Sequence, residues 1–171
     1  MATAQQIINE ALKYEGEGGS RFQNAAGMPG QPWCAMFVWY VFKQVGASSL
    51  YCGGQGICSV EGIYSYYTGQ SLFSQDPKPG DLVLYDWANT TGRFNHVGIV
   101  ISADANYIYT IEGNTLVALW QEDSVQETVK SSVTAIRNIL EQPEETPVVE
   151  LRAAALLRLI RRSLLVLPEA K

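Results

Sequence analysis

The run Pro32-Trp33-Cys34-Ala35-Met36-Phe37-Val38-Trp39-Tyr40-Val41-Phe42 constrains this chain more than any other stretch. Apolar and aromatic residues continue from Trp33 to Val45, broken only by Lys43 and Gln44, and the run stops at Gly46. Pro32 suits the first turn of a helix, where a missing N–H costs nothing, and Gly46 suits the position just past the end. The pattern predicts a largely buried helix with Cys34 in its first turn. Unpaired N–H groups and the positive end of the helix dipole favour a thiolate at such a place, which activates the sulfur. The plainer reading is a cysteine packed in the core, as most free cysteines are.

Upstream, Ile7, Ile8, Ala11 and Leu12 recur at helical spacing and predict a short amphipathic helix over 4–14, capped by Thr3. Residues 15–31 are polar and glycine-rich, which reads as an irregular loop leading into the cysteine helix. After a second loop through Gly53-Gly54-Gln55-Gly56, a short helix is expected over about 59–67, with Tyr64, Tyr66 and Tyr67 on it. Asp76-Pro77-Lys78-Pro79-Gly80-Asp81 is a turn signal. Beyond it the period becomes that of strands, at 82–85, 97–102, 107–111 and 129–136, with a weaker candidate at 116–120. Two or three helices followed by four or five antiparallel strands make an α+β domain.

A chain of 171 residues can bury a real core as one domain, and 17% charged against 47% apolar residues excludes a disordered chain. A net charge of −5, with no basic patch before residue 150, argues against nucleic acid as a partner. Three cysteines fit no zinc spacing, and a single histidine precludes a His/Cys cluster. A Cys52–Cys58 disulfide stays open, and the odd count leaves Cys34 free either way. The first residues, Met-Ala-Thr-Ala-Gln-Gln, have neither the basic nor the apolar region of a signal peptide, so synthesis in the cytoplasm is expected. No apolar run approaches the ~20 residues of a membrane span. Residues 141–149 are Pro/Glu-rich and read as a linker after a domain at 1–140. Residues 150–167 read as an amphipathic Leu/Arg helix ended by Pro168, with Arg158, Arg161 and Arg162 on one face. Docking or self-association is the plainer use of that helix, and contact with an anionic envelope is the other.

A thiol nucleophile needs a base within hydrogen-bond reach, and the base needs a third group to fix its tautomer. His96 is the sole histidine and stands at the start of a strand. A lone histidine is usually structural, but here it is the only imidazole available to Cys34. If 97–102 and 107–111 form a hairpin, the loop length sets what faces it. A three-residue loop puts Glu112 opposite His96, and a five-residue loop puts Asn114 there. Either acceptor would take an Nδ1–H bond on the same face, and Gly113 between them allows a bend. Asp81 is a weaker candidate, better explained as a cap at a strand start.

Four motifs in this order resemble the CHAP domain: Pro32-Trp33-Cys34-Ala35-x-Phe37-Val38, Pro79-Gly80-Asp81-Leu82-Val83, Asn95-His96-Val97-Gly98-Ile99-Val100 and Ile111-Glu112-Gly113-Asn114-Thr115. The family is the cysteine, histidine-dependent amidohydrolase/peptidase, a papain-like fold of bacterial and phage enzymes that cut peptidoglycan. The resemblance spans roughly 4–138. It implies a nucleophile at Cys34, a general base at His96, and an orienting Glu112 with Asn114 supporting the same ring. Related NlpC-type peptidases generally use a second histidine, which this chain lacks. The Asp-rich calcium loop of some phage lysins is missing from 16–31, so no metal and no cofactor are expected. The implied function is an endolysin-like peptidoglycan hydrolase, an amidase or endopeptidase working through a Cys34 thioester, released by a holin, lysis or dedicated secretion. Bacterial peptidoglycan is the expected partner. Gln31 is a candidate second donor to the oxyanion, and Trp33 and Trp87 are candidates for lining a substrate groove. The alternative is a catalytically weak wall-binding or structural module of the same fold. Its mark would be loss of Cys34, His96 or the acceptor, and none is lost.

Overall fold

The computed structural model describes residues 2–86 and 94–114 in full, and 125–129 and 134–136 as strands. The expected linker at 141–149, the helix at 150–167 and the strand candidate at 116–120 lie outside the described residues.

Helix α1 spans Ala4–Leu12 and begins in a reciprocal cap. Thr3 Oγ1 accepts from the Gln6 N–H at 3.2 Å, and Gln6 Oε1 accepts from the Thr3 N–H at 2.9 Å. Its buried face is Ala4, Ile7, Ile8 and Ala11. Helix α2, Ser20–Ala26, corrects the sequence reading, which left this segment in a loop. Only Phe22 is buried on it, so no apolar period exists to be read. That one ring does the anchoring. It stacks on Trp33 at 5.2 Å between centroids and meets Phe37 and Tyr40 edge-on at 5.3 and 5.4 Å.

Helix α3, Cys34–Gln44, is formed by the apolar run that follows Pro32. Its N-cap is Trp33, so Pro32 stands outside the helix and not in the first turn as expected. Cys34 is the first helical residue. Val45 closes the helix, and Gly46 follows in the left-handed region at φ 69°. Seven of its residues, Cys34, Ala35, Met36, Phe37, Val38, Val41 and Phe42, are buried. Helix α4, Val60–Tyr67, is capped by Ser59, whose Oγ accepts from the Gly62 N–H at 3.2 Å.

The strands are β1 (Phe73–Ser74), β2 (Leu82–Tyr85), β3 (His96–Ala103), β4 (Tyr107–Glu112), β5 (Val125–Val129) and β6 (Thr134–Ile136). Among the described residues they form one antiparallel sheet in the order β1-β6-β2-β3-β4-β5. The α+β class expected from the sequence is what folds. Six strands replace the expected four or five for two reasons. A two-residue β1 is too short to show a period, and the expected strand at 129–136 is two strands on opposite sides of the sheet. Local alternation carries no information about such a crossing.

Alternation does sort the two faces of the sheet. Leu82 and Leu84 of β2, Val97 and Ile99 of β3 and Ile111 of β4 join the main core with α1, α3 and α4. Val83, Tyr85, Val100 and Ile108 form a smaller second cluster. No helix among the described residues is long and apolar enough to cross a membrane. Cys34, Cys52 and Cys58 are all free thiols.

Candidate active site

Cys34 is buried at the opening of α3, where no side-chain cap is made. The sulfur therefore shares the first turn with N–H groups that the helix itself leaves unpaired, at the positive end of its dipole. Helix α3 packs chiefly on β3, and Cys34 at its mouth acts on His96 at the start of that strand. Gly113 allows the close approach just past β4. A Cβ there would sit 2.7 Å from both the Phe37 Cβ and the Trp33 ring.

His96 opens β3 and is 3% exposed. Its Nε2 lies 2.9 Å from Glu112 Oε2, and the Cys34 thiol is close enough to the same ring to raise its pKa. The ring nitrogen that meets the carboxylate is Nε2. This reverses the sequence expectation that Nδ1 would face the acceptor. Burial pulls the His96 pKa down, but the bonds and charges of Cys34 and Glu112 outweigh it and raise the value to about 9.

The hairpin register explains how Glu112 reaches the ring. Glu112 pairs with Gly98, in the register that a five-residue loop sets at this end, and a shift between Val100 and Ser102 separates it from the turn. Glu112 is therefore diagonal to His96 and must cross Gly98 to meet it. A Cβ at Gly98 would lie 2.6 Å from Glu112 Cγ, so a glycine is needed under the carboxylate. The sequence signal was present, since glycine inside a strand often marks a close approach. Asn114 sits just past β4, exposed and in left-handed backbone at φ 59°. The structure thus brings together Cys34, His96 and Glu112, and leaves Asn114 at the surface.

Two further polar residues join this group without any signal read from sequence. Thr110 Oγ1 donates to Glu112 Oε1 at 2.7 Å, and Tyr85 Oη lies 3.0 Å from Thr110 Oγ1. The other candidates fall differently. Asp81 is fully buried and its Oδ2 accepts from the Lys78 N–H at 2.8 Å, a turn cap. Gln31 is exposed three residues before Cys34, with its carbonyl held by Gln23 Nε2 at 2.7 Å. Trp33 is half-buried against Phe22, with its ring closely approached by Gly19 and Gly113. Trp87 lies outside the described residues. Among the described residues no group of three or more His, Cys, Asp or Glu side chains could hold a metal ion.

The family model of the CHAP domain matches residues 25–114, more than half of the chain, and spans Cys34, His96, Glu112 and Asn114. The crystal structure of the NlpC/p60 domain of the peptidoglycan hydrolase SagA is similar with a TM-score of 0.45 at 18% identity, covering 80% of this chain and 99% of that one. Among curated proteins, none matches the chain.

Proposed function

The chain belongs to the CHAP domain family, and on that premise we propose that it hydrolyses an amide bond of bacterial peptidoglycan through a cysteine thioester. One observation carries the reading. The His96 ring sits 2.9 Å from the buried Glu112 carboxylate, and the Cys34 thiol is close enough to the same ring to raise its pKa. That is the order of nucleophile, base and orienting group that acyl transfer by a thiol requires.

In this scheme the Cys34 thiolate, paired with imidazolium at His96, attacks the amide carbonyl and forms the C–S bond. The oxyanion takes hydrogen bonds from the Cys34 backbone N–H at the mouth of α3 and from the Gln31 side chain. As the C–N bond breaks, His96 gives its proton to the leaving amine. The neutral ring then removes a proton from water, the hydroxide attacks the thioester, and the carboxylic acid leaves as the thiolate re-forms. Glu112 holds the ring and balances its charge throughout. Asn114 takes no step. The bond cut is the muramoyl–alanine amide or a peptide bond of the stem or cross-bridge, both of which this chemistry serves.

Mass spectrometry of a defined peptidoglycan digested by the full chain tests the proposal. New amine and carboxylate ends are expected with the native protein and not with C34A. Identical fragments from both proteins would remove the thioester mechanism, and intact peptidoglycan after native treatment would remove the substrate.

A further inference from the structure

We propose that Thr110 and Tyr85 are positioning residues that lock the Glu112 carboxylate against His96, a role that rests on the Cys34–His96 reading above. Both are buried, Thr110 fully and Tyr85 with 2% exposure. The Thr110 hydroxyl donates to Oε1 of Glu112 at 2.7 Å, while Oε2 faces His96 Nε2 at 2.9 Å. A threonine hydroxyl has one proton to give. With that proton on Glu112, the 3.0 Å contact between Tyr85 Oη and Thr110 Oγ1 has only one polarity, and Tyr85 is the donor. The donors therefore run from Tyr85 to Thr110 to Glu112, and the imidazolium closes the row from the opposite side.

The need for such a lock follows from the backbone. Glu112 reaches His96 diagonally over Gly98, which offers it no side chain to lean on. A glutamate has several free torsions, and a carboxylate lying over a glycine would otherwise sample more than one of them. Thr110 stands two residues earlier on β4, so its side chain emerges on the same face. Tyr85 is the register partner of His96 on β2, which places its hydroxyl on that face as well, with its ring 5.7 Å from the imidazole. Among the described residues, Cys34 from α3, Glu112 from β4 and Tyr85 from β2 are titratable groups that face His96.

The chain contains a single histidine, so NMR of histidine ring nuclei follows His96 alone and without substrate. In the full chain, T110V is expected to lower the His96 titration midpoint by about half a unit or more, because the freed carboxylate stabilises the imidazolium less. The kcat on peptidoglycan should fall about 10–100-fold, the usual scale for a supporting hydrogen bond at a site. KM should change little, since positioning acts on the reacting state. T110S should restore both readings, and Y85F should lower the midpoint in the same direction by less. A folded T110V with native midpoint and kcat overturns the proposal, and so do equal losses in T110S and T110V, the mark of a packing role. Should T110V fail to fold, Y85F decides, because it deletes a single oxygen. An unchanged midpoint in Y85F overturns the proposal and a lowered one supports it. Failure of the hydrolase reading looks different, since native protein would then leave peptidoglycan intact while the midpoint shifts persist.

Discussion

Helix α3 and the β3–β4 hairpin meet at the site, and different forces hold them. The helix is fixed by apolar contact, with Met36, Val38, Val41 and Phe42 fully buried behind Cys34. The end of the hairpin is fixed by polar contact, with His96, Glu112 and Thr110 buried and bonded to one another. Apolar packing spreads its energy over many small contacts, so losing one lowers stability more than it moves an atom. A buried polar group is less forgiving, because each member depends on its neighbour and an orphaned donor or acceptor costs about 1–3 kcal/mol on the spot. The sulfur therefore sits on a robust support, and the imidazole on a brittle one.

The largest expected effect joins the two supports. C34A should reduce turnover by at least about 10⁴-fold with the fold intact, measured by peptidoglycan hydrolysis and circular dichroism. H96A should lose as much, and the double variant no more than either, because the proposed nucleophile and base would act as a unit. Additive losses would show two independent halves. Next comes E112Q, which keeps the shape but removes the charge facing Nε2. A loss of about 10²–10⁴-fold in kcat is expected, with the His96 midpoint falling toward its ordinary 6.5.

G98A is the most selective way to strain the brittle side. Its Cβ would meet Glu112 Cγ at 2.6 Å, so the carboxylate must leave His96 or the strands must part. About 10–100-fold lower kcat is expected, with an overpacking cost of about 1–3 kcal/mol in chemical denaturation. The opposite pattern is expected on the robust side. F42A should cost about 3–5 kcal/mol of stability while the folded fraction, assayed at low temperature, keeps near-native turnover. A large turnover loss in folded F42A would erase the distinction between the two supports.

The smallest effect is a matter of pH. The His96 pKa is raised above its ordinary 6.5 to about 9, so the folded state holds its proton more tightly than the unfolded chain does. The stability this contributes is complete below pH 6.5 and is lost as pH rises through about 9. Denaturant midpoints should decline across that window, and under the proposed scheme kcat/KM should fall on the alkaline side as the His96 imidazolium disappears. E112Q should flatten the stability decline.

The robust side was also the legible side. A run apolar all round and closed by Gly46 allows little but a buried helix, and Cys34 at its mouth follows. Pro32 misled by two positions, because Trp33 took the cap and the helix begins at Cys34. His96 was legible for a simpler reason, being the sole imidazole. The choice between Glu112 and Asn114 was not legible, since the shift between Val100 and Ser102 separates the register near His96 from the turn that would have revealed it. Thr110 and Tyr85 were invisible because their contact spans 25 residues and depends on how β2 pairs with β3. Helix α2 escaped through having one apolar anchor, Phe22, and no period.

The pairing of sulfur and imidazole at the mouth of α3 is tested most directly by titrating the single histidine by NMR in the native chain and in C34A. The expected midpoint is near pH 9 in the native chain and distinctly lower in C34A, where the Cys34 side chain that helps raise it is gone. A native midpoint near 6.5 that C34A leaves unmoved would contradict the pairing and, with it, the hydrolase mechanism.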